Sequence, residues 1–193
     1  VARRIRRLMD PRVFAGLCAE AYSCEPDLEH KSARLILRDT EYGRCAAFRG
    51  TDNGASALTD LELIPCAAKG LGLVHLGFWE TVEGIYDAVI AEKPAIITGH
   101  SLGGALALLL AARMTLDGAP PAAVFTFGAP RISIGGQARS VLAGVPILMF
   151  RHGADIVPEV PLGFEHPAVL TEIGVAGEPI ADHAIARYIA ALS

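Results

Sequence analysis

ITGHSLGGALALLL, residues 97–110, begins as an apolar, strand-like run, breaks on a polar tripeptide bounded by glycine, and resumes as alanine and leucine of helical length. A buried core element has no packing reason to stop on a histidine and a serine. Gly99, Ser101 and Gly103 form G-x-S-x-G, which carries chemical meaning only between a strand and a helix, and both are expected here. In such an elbow the serine backbone is driven into a sparsely populated conformation, so its neighbours two residues away must lack colliding side chains. The strain lifts the hydroxyl above the sheet edge and aims the next backbone N–H, that of Leu102, at the same point. The helix opened there adds positive partial charge. The competing reading is an ordinary tight turn.

Working outward, Val13, Leu17 and Ala21 recur at helical intervals and predict a helix over residues 11–23. SARLILRD and GRCAAFRG flank TEYG and predict a β-hairpin. The next stretch, TDNGASALTDLELIPCAAKGLG, is rich in turn formers and reads as a long surface loop, with or without a short helix. Phe78, Val82, Ile85 and Val89 line one face of an amphipathic helix over residues 77–91. Strand-like runs AIIT, AAVFTF and PILMFR then alternate with helices over residues 102–116 and 137–142. A last helix over residues 182–192 carries Ile185, Tyr188, Ile189 and Leu192 on one face, with Asp182 as its expected N-cap. Alternation at these lengths predicts an α/β fold, a mostly parallel sheet with helices on both faces.

A serine hydroxyl is a poor nucleophile at neutral pH; a base must take its proton and a third group must orient the base. After an elbow of this kind the expected chain order is Ser, Asp, His. His183, at the start of the final helix, is favoured as base over His166, which reads as a half-buried histidine bonded to backbone. His100 and His152 read as packing or supporting residues, His30 has nothing near it, and His75 before LGF is a candidate support. For the acid, Asp155 follows the strand PILMFR at its carboxyl end, where open α/β sheets gather their sites. Asp182 adjoins His183 in sequence and is poorly placed to bond that ring, while Asp60 is left as a supporting candidate. Thr51, at the sharp turn ending AAFRGTDN, is expected to join the Leu102 N–H in holding an oxyanion.

The chain has 193 residues, a length that fits a single domain over residues 1–193 and buries roughly 70% of its unfolded surface. Its net charge of −4 suits a globular enzyme and argues against nucleic acid as partner. The basic cluster Arg3 to Arg7 reads as a solvated terminal segment. No run reaches the ~18 apolar residues of a membrane span, and no apolar stretch of secretory type follows the charged start, so a soluble chain is expected, secreted or cytoplasmic. Cys18, Cys24, Cys45 and Cys66 lack metal-site spacing and are expected as free thiols, with no metal bound.

Taken together, FRGT (48–51), VHLGF (74–78), TGHSLGGALA (98–107), FGAPR (127–131), DIVP (155–158), GFEH (163–166) and DHAIARYI (182–189) resemble the class 3 lipases, the fungal-lipase-like branch of the α/β-hydrolases. The resemblance runs from about residue 33 to the C-terminus. It implies an α/β-hydrolase fold, a Ser101–Asp155–His183 triad and an oxyanion hole from Thr51 and Leu102. It also implies hydrolysis of carboxylic esters, often triacylglycerols, without metal or organic cofactor. The histidine of GFEH is not the base in that family, which agrees with setting His166 aside. One region departs from the pattern: where such lipases carry a bulky lid helix with a tryptophan, this chain has DNGASALTDLELIP, with Ala55, Ser56 and Ala57. At about 25 cal/mol per Å2, alanine in place of an aromatic residue removes a few kcal/mol of lid burial. Weak interfacial activation and a preference for short to medium acyl chains follow as expectations. The rival readings are a non-catalytic relative that binds a ligand or partner, and an acyltransferase using the same triad.

Overall fold

The structure, a computed structural model, describes residues 9–51 and 64–193. The arginine cluster Arg3–Arg7, the segment Ala55–Ala57 and Asp60 lie outside them.

Helix α1, Pro11–Ser23, starts where Asp10 takes an extended conformation and accepts the Arg12 N–H at 2.9 Å, with Pro11 filling the first turn. Its buried stripe is Phe14, Cys18 and Ala21, while Val13 and Leu17 are half-buried, so the helix stands but its core face is turned by one residue from the sequence expectation. Strands β1 (Leu28–His30), β2 (Ala33–Thr40) and β3 (Gly43–Phe48) form an antiparallel set. The β2–β3 turn is closed by the Thr40 hydroxyl, which donates to the Gly43 carbonyl at 2.7 Å, and by Gly43 at a φ of 108°.

Strand β5 (Gly72–His75) pairs with β4 (Pro65–Ala68) on one side and β8 (Ser133–Ile134) on the other in a small antiparallel sheet. The sequence reading treated residues 65–72 as loop. Pro65, Cys66, Ala67 and Ala68 offer none of the β-branched or aromatic residues that mark a strand, and the segment is half-exposed. Helix α2 (Leu76–Ala91) follows, then β6 (Ile96–His100), α3 (Leu102–Leu116), β7 (Ala123–Phe127), α4 (Gln137–Val141), β9 (Ile147–His152), β10 (Leu170–Ile173) and α5 (Ile185–Leu192).

The main sheet has the order β1-β2-β3-β6-β7-β9-β10, and every pairing from β3 onward is parallel. Side chains alternate across it with the period of two that a pleated strand requires. Ile97, Val124 and Met149 point to the face covered by α2 and α3, whereas Ile96, Phe125, Leu148 and Phe150 join Phe14 of α1 and Tyr188 of α5 on the other. Helices on both faces are thus what bury the central strands. Helix α3 is buried almost all round, which explains why its sequence shows no amphipathic stripe. It reaches that depth because Gly103 and Gly104 carry no side chain: a Cβ on Gly103 would meet the Arg49 carbonyl at 2.7 Å, and one on Gly104 would meet the Ala129 Cβ at 2.6 Å. No helix among the described residues is long and apolar enough to cross a membrane.

Candidate active site

Ser101 occupies the junction between β6 and α3 at φ 58° and ψ −131°, a region that non-glycine residues rarely enter. The conformation is held by hydrogen bonds on either side: the Ser101 N–H donates to the Phe127 carbonyl at 2.9 Å, and its carbonyl accepts the Gly104 N–H at 2.9 Å. A Cβ on Gly99 would overlap the Gly103 carbonyl and stand 2.6 Å from the Gly104 nitrogen. The expected reason for glycine on both sides of the serine is therefore met by backbone against backbone.

His183 reaches the serine from the far end of the chain. It closes a short 3-10 turn, Ala181–His183, ahead of α5. Its Nε2 lies 2.8 Å from Ser101 Oγ and its Nδ1 2.8 Å from Asp155 Oδ2. A carboxylate can only accept, so Nδ1 carries the proton and Nε2 is left to accept from the serine hydroxyl. All three residues are buried. Asp155 sits in the turn after β9, with Oδ1 accepting the Val157 N–H at 2.9 Å. Oδ2 accepts a second donor besides His183, the Tyr188 hydroxyl. Gly128, at φ 63°, gives these groups room: a Cβ there would come within 2.8 Å of Asp155 Oδ2, 2.9 Å of the Tyr188 oxygen and 3.0 Å of His183 Nδ1.

Leu102 is the first residue of α3, and the first N–H groups of a helix have no partner within it. Gly50 packs on the elbow so closely that a Cβ would stand 2.7 Å from the Ser101 Cβ. Thr51 comes next, and its buried Oγ1 has no hydrogen-bond partner among the described residues.

The other candidates fall where their bonding puts them. His166 is half-buried and donates from Nε2 to the Pro158 carbonyl at 2.8 Å, and burial lowers its pKa. His75 caps α2, accepting the Phe78 N–H on Nδ1 at 3.4 Å and stacking on that ring. His152 packs against the Tyr188 ring, with centroids 5.8 Å apart, and His30 lies against α2 at Gly84. Asp182 is not the N-cap of the final helix. The chain makes its 3-10 turn first, α5 begins at Ile185 behind Ala184, and the buried Asp182 carboxylate instead accepts the Ala154 and Gly177 N–H groups at 2.8 and 2.7 Å. Those bonds hold its pKa below the usual carboxylate value. Two tyrosines escaped the sequence reading. Tyr188 was visible only as part of an apolar stripe, and Tyr22 near the end of α1 bonds His100 behind the elbow.

The four cysteines are free thiols, and burial pushes the Cys18 thiol up to about 12, out of reach of ionisation at neutral pH. Among the described residues no cluster of three His, Cys, Asp or Glu side chains could hold a metal ion.

A buried Ser–His–Asp chain at the carboxyl edge of a mostly parallel sheet, with a strained serine opening a helix, defines an α/β-hydrolase with a serine nucleophile's geometry. Residues 45–165, more than half of the chain, match the family model Lipase (class 3). The chain belongs to the class 3 lipase family. A lipase of Rhizopus niveus is 38% identical over 74% of this chain and 41% of its own length. A chloroplastic phospholipase A1 of Arabidopsis thaliana is 34% identical over 62% of this chain and 20% of its own length. The chain thus spans less than half the length of either relative. The triacylglyceride lipase of Rhizomucor miehei shares the fold, with a TM-score of 0.71 at 21% identity, covering 92% of this chain and 82% of that one.

Proposed function

We propose that this chain, acting as a single domain over residues 1–193, is a serine ester hydrolase that cleaves acylglycerols or simple carboxylic esters through an acyl-enzyme. The observation that carries the reading is the unbroken hydrogen-bond chain from Ser101 Oγ through His183 to Asp155. Ser101 Oγ attacks the ester carbonyl while its proton passes to His183 Nε2, and Asp155 stabilises the imidazolium and keeps its ring in place. The developing oxyanion is held by the Leu102 N–H and by the Thr51 N–H and hydroxyl. As the tetrahedral adduct collapses, His183 returns the proton to the departing alcohol and leaves the acyl group on Ser101. Water then repeats the sequence in reverse roles and releases the acid. The imidazole must be neutral to take that proton.

Relatives named as a lipase and as a phospholipase A1 support an ester of a glycerolipid and leave its headgroup open. The small side chains of Ala55, Ser56 and Ala57 support short to medium acyl chains and weak interfacial activation. A panel of p-nitrophenyl esters from acetate to palmitate tests both levels. Turnover lost by several orders of magnitude in a folded Ser101→Ala is expected, and a fully active variant ends the proposal. Rates that jump about tenfold or more at the micelle threshold contradict the small-lid reading while leaving the hydrolase reading intact.

A further inference from the structure

Behind the elbow, residues far apart in sequence are joined by one line of hydrogen bonds whose directions are forced. His100 Nε2 lies 2.7 Å from the His183 carbonyl, which can only accept, so Nε2 carries the proton. His100 is buried and its ring lies 4.7 Å from that of His183. Burial, and then repulsion from His183, lower its pKa to about 3. It is therefore neutral, and its Nδ1 bears a lone pair. The Tyr22 hydroxyl, 2.7 Å from that nitrogen, donates to it, which leaves the phenol oxygen to accept the Gly50 N–H at 3.0 Å. Donor meets acceptor at every link, from Gly50 through Tyr22 and His100 to the main chain of His183. The packing is as tight as the bonding: a Cβ on Gly50 would overlap the Tyr22 oxygen and stand 3.0 Å from the His100 carbonyl.

The two ends of this line are two parts of the site that do not come from the elbow. Gly50 immediately precedes Thr51, the proposed oxyanion donor, and His183 is the proposed base. Neither end shares a secondary-structure element with Ser101, so something must set their spacing to the few tenths of an ångström that oxyanion donors require.

We propose that Tyr22 and His100 are positioning residues for the hydrolysis reaction, a hydrogen-bonded strap that sets the Gly50–Thr51 turn and the His183 main chain in register with Ser101. The inference rests on the hydrolase reading above. Neither side chain supplies a proton or touches the ester; each acts through the backbone it holds. Asp182, also buried near the site, joins different segments, the Ala154 turn and Gly177, and reaches neither Gly50 nor the elbow.

Tyr22→Phe tests it, because the ring stays and the Gly50 N–H and His100 Nδ1 lose their shared partner. Active sites are counted by the burst of p-nitrophenol from a p-nitrophenyl phosphonate, and turnover is expressed per titrated site. The expected result is a fall of about ten- to a hundredfold in kcat per site, from misplaced oxyanion donors. KM for a short p-nitrophenyl ester stays within about threefold, and affinity for a trifluoromethyl ketone, which forms a tetrahedral adduct, falls in step with kcat/KM. A variant that melts earlier and titrates fewer sites, with each titrated site turning over at the wild-type rate, overturns the proposal in favour of a purely structural role. Should Tyr22→Phe fail to fold, His100→Gln and His100→Leu carry the test. The amide can still accept from Tyr22 and donate to His183, so its kcat per titrated site is expected to exceed that of the leucine variant about tenfold; equal values overturn the proposal. A wild-type chain that gives no burst and no adduct at Ser101 fails one step earlier and removes the nucleophile reading itself.

Discussion

Removing the hydroxyl of Tyr188 should cost this protein more stability than the loss of one oxygen suggests. That hydroxyl is one of the three donors on the Asp155 carboxylate, with His183 Nδ1 at 2.8 Å and the Val157 N–H at 2.9 Å as the others, and both residues are buried. A hydrogen bond to a charged group contributes about 1.5–3 kcal/mol, and its loss leaves part of the charge without a donor. Tyr188→Phe keeps the ring against Phe127 and His152, so no large cavity adds to the penalty. In a chain of this size each kcal/mol corresponds to about 2–4 °C, which places the expected fall in Tm at about 3–12 °C. Thermal and urea unfolding at pH 7, monitored by two probes to check two-state behaviour, read the effect directly. Turnover should also fall, though less than in Ser101→Ala, because His183 and Val157 still hold the carboxylate. A Tm within about 1 °C of wild type would refute the reasoning, since a buried acceptor cannot lose such a donor without consequence.

Gly99→Ala drives a methyl group into the Gly103 carbonyl, where backbone faces backbone and neither can yield, so a loss of about 2–4 kcal/mol is expected in chemical denaturation. Gly144→Ala, with nothing within 4 Å, serves as the control and should be nearly neutral. Acid should destabilise the native state through His100. Its folded pKa, about 3, lies below the unfolded value near 6.5, so the unfolded chain takes up a proton that the folded one refuses. The contribution is full above pH ~6.5 and is lost as pH falls toward 3, by at most about 1.4 kcal/mol per pH unit, with the half-buried His166 adding in the same direction. In urea titrations between pH 4 and 7 His100→Gln should show a shallower acid slope than wild type; an unchanged slope would mean that His100 is charged in the folded state.

Much of the site was legible because its constraints are local. Gly99, Ser101 and Gly103 declare a strained elbow within five residues, and the apolar runs before Ser101 and Asp155 declare strand ends at one edge of a sheet. The period of two in Ile96 to Ile97 and Phe125 to Val124 likewise follows from the pleat. What was hidden depended on distant partners or weak patterns. The face of α1 was misjudged by one residue because Phe14, not Val13, meets the sheet at Phe125, with rings 4.1 Å apart. Strand β4 was read as loop because alanine, cysteine and proline form a strand there only by pairing with β5. Asp182 looked like a cap because the 3-10 turn before α5 leaves no mark on composition. Tyr188 fell in the correct stripe, but an apolar periodicity cannot say that its hydroxyl ends on a carboxylate 33 positions earlier. A tyrosine on the buried face of a helix must place its oxygen somewhere, and that is the signal that would have flagged it.

Covalent capture tests the central claim most directly. Treated with a p-nitrophenyl phosphonate, the protein should release p-nitrophenol in a single burst equal to the number of folded chains. Digestion and mass mapping should place the adduct on the hydroxyl of Ser101, with ester turnover abolished in parallel. Hydrolysis that continues undiminished with Ser101 modified, or an adduct that forms on another side chain while Ser101 stays bare, would contradict the account.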